Sequence, residues 1–128
     1  MILEGVVVSG LGRGGHFLSI PHYRRLLSEI TGFEPYPGTL NVLVGRDRAL
    51  SAVLRGLRIP EAVVDGRTYG GAWLAPVEIV GNPEIPAWAI LPDRSAHPDQ
   101  LEIISDRNLR RALGLRDGDR ILLRVKSI

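Results

Sequence analysis

Thr39 and Asn41 stand two residues apart, directly after the bend Glu34-Pro35-Tyr36-Pro37-Gly38 and at the head of the apolar run Leu40-Asn41-Val42-Leu43-Val44. Side chains two apart on a strand leave the same face, about 6 to 7 Å apart along the backbone. A hydroxyl and a carboxamide oxygen therefore face one way from a chain stiffened by two prolines. Hard oxygen donors of this kind suit Mg²⁺, which completes its octahedron with water and substrate phosphates. Taken alone, the pair has a plainer meaning, with Asn41 capping a turn and Thr39 an ordinary strand residue.

A second stretch with chemical potential comes earlier. Ser9-Gly10-Leu11-Gly12-Arg13-Gly14-Gly15-His16 follows the short β-branched run Ile2-Leu3-Glu4-Gly5-Val6-Val7-Val8. Its glycines let backbone N–H groups approach an anion without obstruction, and phosphate is the natural guest. Gly10, Gly12 and Gly15 satisfy G-x-G-x-x-G, but a dinucleotide-binding turn opens a helix at once inside a βαβ pattern. Here Phe17-Leu18-Ser19-Ile20 reads as extended and Pro21 delays any helix. Gly10 to Gly15 also has P-loop spacing, yet His16 and Phe17 stand where Lys and Ser or Thr are needed. Both common nucleotide signatures fail.

The elements that must hold these stretches can be read from periodicity. Tyr23, Leu26, Leu27 and Ile30 give one helical face between Pro21 and Gly32, with Arg24, Arg25 and Glu29 toward water. Leu50, Val53, Leu54 and Leu57 predict a second short helix, limited by Gly56 and Pro60. Asp65-Gly66 between Ala62-Val63-Val64 and Thr68-Tyr69 predicts a hairpin. A strand-like segment runs on through Ile79, with a bend at Gly70-Gly71 and with Pro76 arguing for an edge or another irregularity. Ala87-Trp88-Ala89-Ile90-Leu91 and Leu101-Glu102-Ile103-Ile104 read as strands. Ser105 or Asp106 caps a helix ending at Gly114, and Asp117-Gly118-Asp119 turns into a last strand. Strands outnumber helices without regular alternation, so the pattern predicts a mainly β fold, a small closed barrel with short helices over its openings.

At 128 residues the chain makes one domain, 1–128, large enough for a real core. No apolar run reaches the roughly 20 residues that cross a bilayer, and no leader pattern is present, so a cytoplasmic protein without a membrane partner is expected. Zero cysteines exclude thiol catalysis, thiolate metal sites and disulfides. His16, His22 and His97 share no metal-ligand spacing. Of 16 cationic residues only Lys126 is lysine, and net charge is +2 with pI near 9.5. That balance favours phosphate ligands and falls short of a nucleic-acid arm.

Ser9-Gly10-Leu11-Gly12-x-Gly14-x-x-Phe17, then Gly32-Phe33-x-Pro35-Tyr36-x-Gly38-Thr39-Leu40-Asn41, then Leu101-Glu102-Ile103-Ile104 and Leu115-x-Asp117-Gly118-Asp119 resemble the archaeal CTP-dependent riboflavin kinases, in order over nearly the whole chain. The resemblance implies a six-stranded cradle-loop (RIFT-related) closed barrel. It also implies transfer of the CTP γ-phosphoryl to the riboflavin 5′-hydroxyl, giving FMN and CDP, with Mg²⁺ as cofactor; a monomer is expected. By matching positions, Leu11, Gly12, Arg13, Gly14, Gly15 and His16 line the nucleotide, and Arg107, Asn108, Leu109 and Arg110 return to it. Thr39 and Asn41 hold the metal, and Ser95 and Glu102 contact the flavin. Glu102 is the residue expected to orient the riboflavin hydroxyl or accept its proton. Trp73, Trp88, Tyr36 and Tyr69 are the aromatic candidates to stack on the isoalloxazine ring, with Tyr36 favoured for the flavin or as a lid and Trp88 read as core. The rival reading is a non-enzymatic barrel that binds nucleotide or DNA in regulation. Scattered arginines argue against it.

Overall fold

The computed structural model describes residues 1–10 and 13–128, with only the backbone of Arg13 and Gly14. Period-two burial starts at once in β1 (Ile2–Val8), where Leu3 and Val7 are buried and Ile2 and Glu4 are exposed. The other wall strands are β2 (Leu40–Leu43), β6 (Ala72–Ile79), β7 (Ile85–Pro92), β8 (Gln100–Ile104) and β9 (Arg120–Val125). They pair antiparallel in the order β6-β7-β8-β2-β1-β9, and β9 returns to β6 with Val77 opposite Val125 and Ile79 opposite Leu123. The barrel is closed and has six strands, as the sequence pattern and the resemblance together predict.

Inward residues such as Leu3, Val42, Ala89, Leu101, Ile103 and Leu123 fill the barrel. Each such burial removes apolar surface from water, worth about 1.5 to 3 kcal/mol for a full-sized side chain. A second core lies on the outer wall, where Phe17, Leu18, Tyr23 and Leu27 pack on Leu74, Ile90 and Ile104. They come from α1 (Arg13–Ser19) and α2 (Pro21–Thr31). Strand β7 is covered on both faces, which is why residues 87–91 read as an unbroken apolar run.

Two helices contribute to the barrel core. Helix α3 (Arg46–Val53) buries Ala49, Ala52 and Val53, while Leu50 and Leu54 stay exposed. The helix is where periodicity put it, but its inward stripe is shifted by one residue. Small alanines pack closely on the wall, and the larger leucines at the predicted positions face solvent instead. Helix α4 (Leu109–Leu113) sends Leu109 inward and ends at Gly114 in the left-handed conformation. Its cap is Asn108, whose side chain accepts from the Arg111 N–H, rather than Ser105 or Asp106.

Three further corrections have local causes. Residues 17–19 are helical, not extended, because Phe17 and Leu18 bury together on α1 against Tyr23. The strand β3 (Leu57–Ile59), unforeseen in the sequence, pairs with the first half of β6. Pro76 is in a wall strand rather than on a free edge: β3 covers β6 up to Leu74 and β9 takes over at Val77. The Pro76 carbonyl accepts from Lys126 N–H on that side, so its donorless nitrogen falls at the exchange of partners.

The hairpin β4 (Ala62–Val64) and β5 (Arg67–Tyr69) forms as predicted, with both Asp65 (φ 52°) and Gly66 (φ 78°) left-handed. No helix among the described residues is long and apolar enough to cross a membrane.

Candidate active site on the barrel wall

Register assembles the candidate site. Asn41 lies opposite Val8 on one side and Glu102 on the other, and Glu102 lies opposite Ile90. Their neighbours Leu40, Val42, Leu101 and Ile103 point into the barrel, so Asn41 and Glu102 sit side by side on the outer wall. Both are buried, at 8% and 4% exposure, on a surface where a polar group needs a reason.

Thr39, just before β2, completes the cluster. Its Oγ1 donates to Glu102 Oε1 at 3.2 Å and lies 3.4 Å from Asn41 Oδ1. The Asn41 Nδ2 donates to Gln100 Oε1 at 3.4 Å. Cis ligands of an octahedral Mg²⁺, at about 2.0 to 2.1 Å from the ion, lie about 3 Å apart. The Thr39 and Asn41 oxygens therefore fit such an ion with little movement. No group of three or more His, Asp or Glu among the described residues could hold a metal. A cation held by Thr39 and Asn41 would have to take the rest of its shell from water and phosphate.

The N-terminal arm reaches this cluster. A Cβ on Gly10 would fall 2.0 Å from Asn41 Nδ2, and one on Gly15 would lie 4.0 Å from the Pro37 carbonyl oxygen. Backbone thus lies directly against the carboxamide, and only glycine allows it. Leu11 and Gly12 lie outside the described residues, as does the side chain of Arg13.

The loop before α4 closes the other side. Arg110 donates to the Val8 carbonyl at 3.1 Å and to Asp117 at 2.6 Å, and Ser9 Oγ donates to the same carboxylate at 2.6 Å. These bonds, first from Ser9 and then from Arg110, hold the Asp117 carboxyl below its ordinary range. Arg107 pairs with Asp106 at 2.8 Å, which lowers the pKa of Asp106. A cavity of about 200 Å³ lies between the bend before β2 and the loop leading into α4, lined by Tyr36, Gly38, Thr39, Arg107, Asn108 and Arg110. Leu40, Ile103 and Leu109, which belong to the barrel core, also line it.

The remaining sequence candidates are spread wider. His16 lines a separate cavity of about 190 Å³ with Tyr69 and Arg94, its ring 6.0 Å from that of Tyr69. Ser95 sits in the β7–β8 loop, where its hydroxyl accepts from the His97 N–H. Asp93 fastens that loop to Arg58, whose guanidinium lies 5.2 Å from the Trp73 ring centroid. Trp88 packs into the outer core, as read from the sequence. Tyr36 bonds to Asn108 on the arginine-bearing side, away from the aromatic group at Tyr69. A larger cavity, about 850 Å³, opens between the β6–β7 turn and α4 and shares only Arg107 with the smaller one. Its one carboxylate, Glu4, is engaged by Arg120, so the smaller cavity is the better place for chemistry.

Sequence reasoning missed Gln100 and the Ser9–Asp117–Arg110 latch. An aspartate in Asp-Gly-Asp reads as turn chemistry, and no spacing signals a bond to a residue 108 positions away.

A half-buried hydroxyl, a buried carboxamide and a buried carboxylate thus meet on the wall of a closed barrel, flanked by a glycine arm and an arginine-bearing loop, an arrangement suited to aligning a phosphoryl group. The family model CTP-dep_RFKase, described as "Domain of unknown function DUF120", matches residues 7–125. The chain is 38% identical over 125 residues to a riboflavin kinase of Methanopyrus kandleri, covering 98% of this chain and 83% of the relative. It is 42% identical over 134 residues to one from Halobacterium salinarum and 44% over 128 residues to one from Thermococcus kodakarensis. Those alignments take in 99% and 97% of this chain but 58% of each relative, so the chain spans little more than half their length. The chain belongs to this riboflavin kinase family.

Proposed function

We propose that the chain itself is a CTP-dependent riboflavin kinase, converting riboflavin and CTP to FMN and CDP. The observation that carries this reading is the convergence of Gly10, Thr39, Asn41 and Glu102 at one place on the wall. The arginine-bearing loop lies beside it. Phosphoryl transfer asks mainly for alignment and charge neutralisation, which these parts can supply. The choice of CTP rests on the family's name.

In this reading the triphosphate lies between the glycine arm and residues 107–110, and riboflavin approaches from the β7–β8 loop carrying Ser95. The ribityl 5′-oxygen bonds to the γ-phosphorus as the bond to the β–γ bridging oxygen breaks, and CDP leaves with that electron pair. Glu102 orients the hydroxyl and takes its proton. Thr39 and Asn41 would hold Mg²⁺, which when bound neutralises charge on the phosphates. Thr39 positions Glu102 through their hydrogen bond. Gly10 keeps the Asn41 carboxamide in place.

The regulatory DNA-binding alternative finds little support on the surface. Arg24, Arg58, Arg107, Arg110, Arg120 and Arg124 each face an acidic partner, so they do not form an unpaired basic stripe. Incubating the protein with riboflavin, Mg²⁺ and each of the four nucleoside triphosphates tests the proposal. FMN should form fastest with CTP. No FMN with any of the four sinks the kinase reading, and FMN formed equally from ATP sinks the donor assignment.

A further inference from the structure

The Pro35-Tyr36-Pro37 bend takes no part in the chemistry above, yet it is fastened twice to the loop that leads into α4. Tyr36 N–H donates to the Ser105 carbonyl at 2.8 Å, and Asn108 Nδ2 donates to the Tyr36 hydroxyl at 3.1 Å. The other end of the Asn108 amide is already committed, since its Oδ1 accepts from Arg111 N–H at 3.2 Å as the cap of α4. That bond fixes which atom of the carboxamide faces the phenol. Tyr36 is therefore the acceptor in its bond to Asn108, and its own proton is left for another acceptor.

The surroundings say what that acceptor is. Tyr36 is 37% exposed and lines the cavity of about 200 Å³ together with Thr39, Arg107 and Arg110. Its ring is backed by Gly38, where a Cβ would come within 3.2 Å of the ring edge. Arg107 and Arg110 each face an aspartate, but a guanidinium carries five N–H donors and one carboxylate does not take them all, so both can still meet an anion, and Thr39 ties the cavity to the metal-holding pair. Resting on the kinase reading, we infer that the Tyr36 hydroxyl donates to a phosphate oxygen of the bound nucleotide. Tyr36 is then a nucleotide-binding residue and not a platform for the flavin ring.

The test uses calorimetry with CDP and Mg²⁺ on the wild type, Tyr36→Phe, Asn108→Ser and the double variant. Serine keeps a helix cap while removing the amide donor to the phenol. Tyr36→Phe should weaken CDP binding roughly ten-fold, the scale of one hydrogen bond to a charged group. The same loss should persist in the Asn108→Ser background, the riboflavin KM should hold, and the ³¹P resonances of bound CDP should move. Unchanged CDP affinity overturns the inference, and so do unmoved ³¹P resonances. A Tyr36→Phe effect that vanishes in the Asn108→Ser background makes Tyr36 act only through Asn108, which also overturns it. A wild type that binds no nucleotide at all instead removes the kinase reading beneath it. Thermal melts of each variant separate loss of fold from loss of binding.

Discussion

Gly10 and Asn41 are in such close approach that a methyl group on the glycine would fall 2.0 Å from the asparagine Nδ2. The carboxamide is thereby roofed by backbone. Substituting Gly10→Ala must push either the arm or the amide aside, because real Cβ contacts are never this short. The expected result is at least a ten-fold rise in the Mg²⁺ concentration needed for half-maximal FMN formation, with the melting temperature nearly kept. An unshifted Mg²⁺ titration would show either that the arm yields and the carboxamide stays in place or that Asn41 does not serve the cation, and Asn41→Ala, which should lose the Mg²⁺ dependence if Asn41 holds the ion, separates the two.

Glu102 is nearly sealed from solvent and accepts from Thr39. Glu102→Gln keeps the size and an acceptor oxygen but removes the charge. Turnover should fall at least about ten-fold, with riboflavin affinity retained, because general base catalysis contributes a factor of that order or more. Measured kcat and riboflavin Kd decide it: a smaller fall takes the proton-transfer role from Glu102, and a fall in affinity alone makes it a binding group.

Asp117 accepts from both Ser9 and Arg110, and this lowers its pKa from the ordinary 3.8. For a carboxylate depressed in the folded state, the stabilising contribution is fully present above the unfolded pKa and is lost as pH falls through the folded one. The latch should therefore hold unchanged through neutral and mildly acidic pH and release only below the usual aspartate range. Carbon-detected NMR titration of Asp117 should give a midpoint under 3.8, raised toward it by Ser9→Ala or Arg110→Gln. A wild-type midpoint at or above 3.8 would mean the latch does not form in solution.

Tyr23 is fully buried against Phe17 and Tyr69, and its hydroxyl has no partner among the described residues. Burial, followed by the nearby Tyr69 and Glu61, raises its pKa. An unpaired buried hydroxyl costs about 1 to 3 kcal/mol, which Tyr23→Phe removes without changing shape. Calorimetric melting should show a gain of several degrees for the variant. A lower melting temperature would reveal a hydrogen bond to water at that hydroxyl.

Much of this architecture was legible because local chemistry and tertiary structure agree. Asp65-Gly66 demands left-handed backbone and forms the hairpin, and Gly32 ends α2 with its N–H on the Ser28 carbonyl. Thr39 and Asn41 were readable as a pair because period two is a local property. The failures lie where distant partners decide. Phe17 and Leu18 are helical because their burial partners arrive from α2 and the barrel wall, and β3 exists because β6 offers half of one edge. Pro76 looked like an edge residue since nothing local tells that a strand changes neighbours beside it. Glu102 could be named, but its bond to Thr39 bridges 63 positions and is a product of register alone.

That register has a kinetic consequence. Strands β2 and β8 meet only when the chain has returned on itself across nearly half of its length, and pairings of such separation form slowly. A half-folded intermediate could own its helices and hairpin and still be catalytically silent, since carboxamide and carboxylate would not yet be neighbours. Recovered turnover during refolding would thus act as a clock for completion of the wall, lagging behind the regain of circular dichroism.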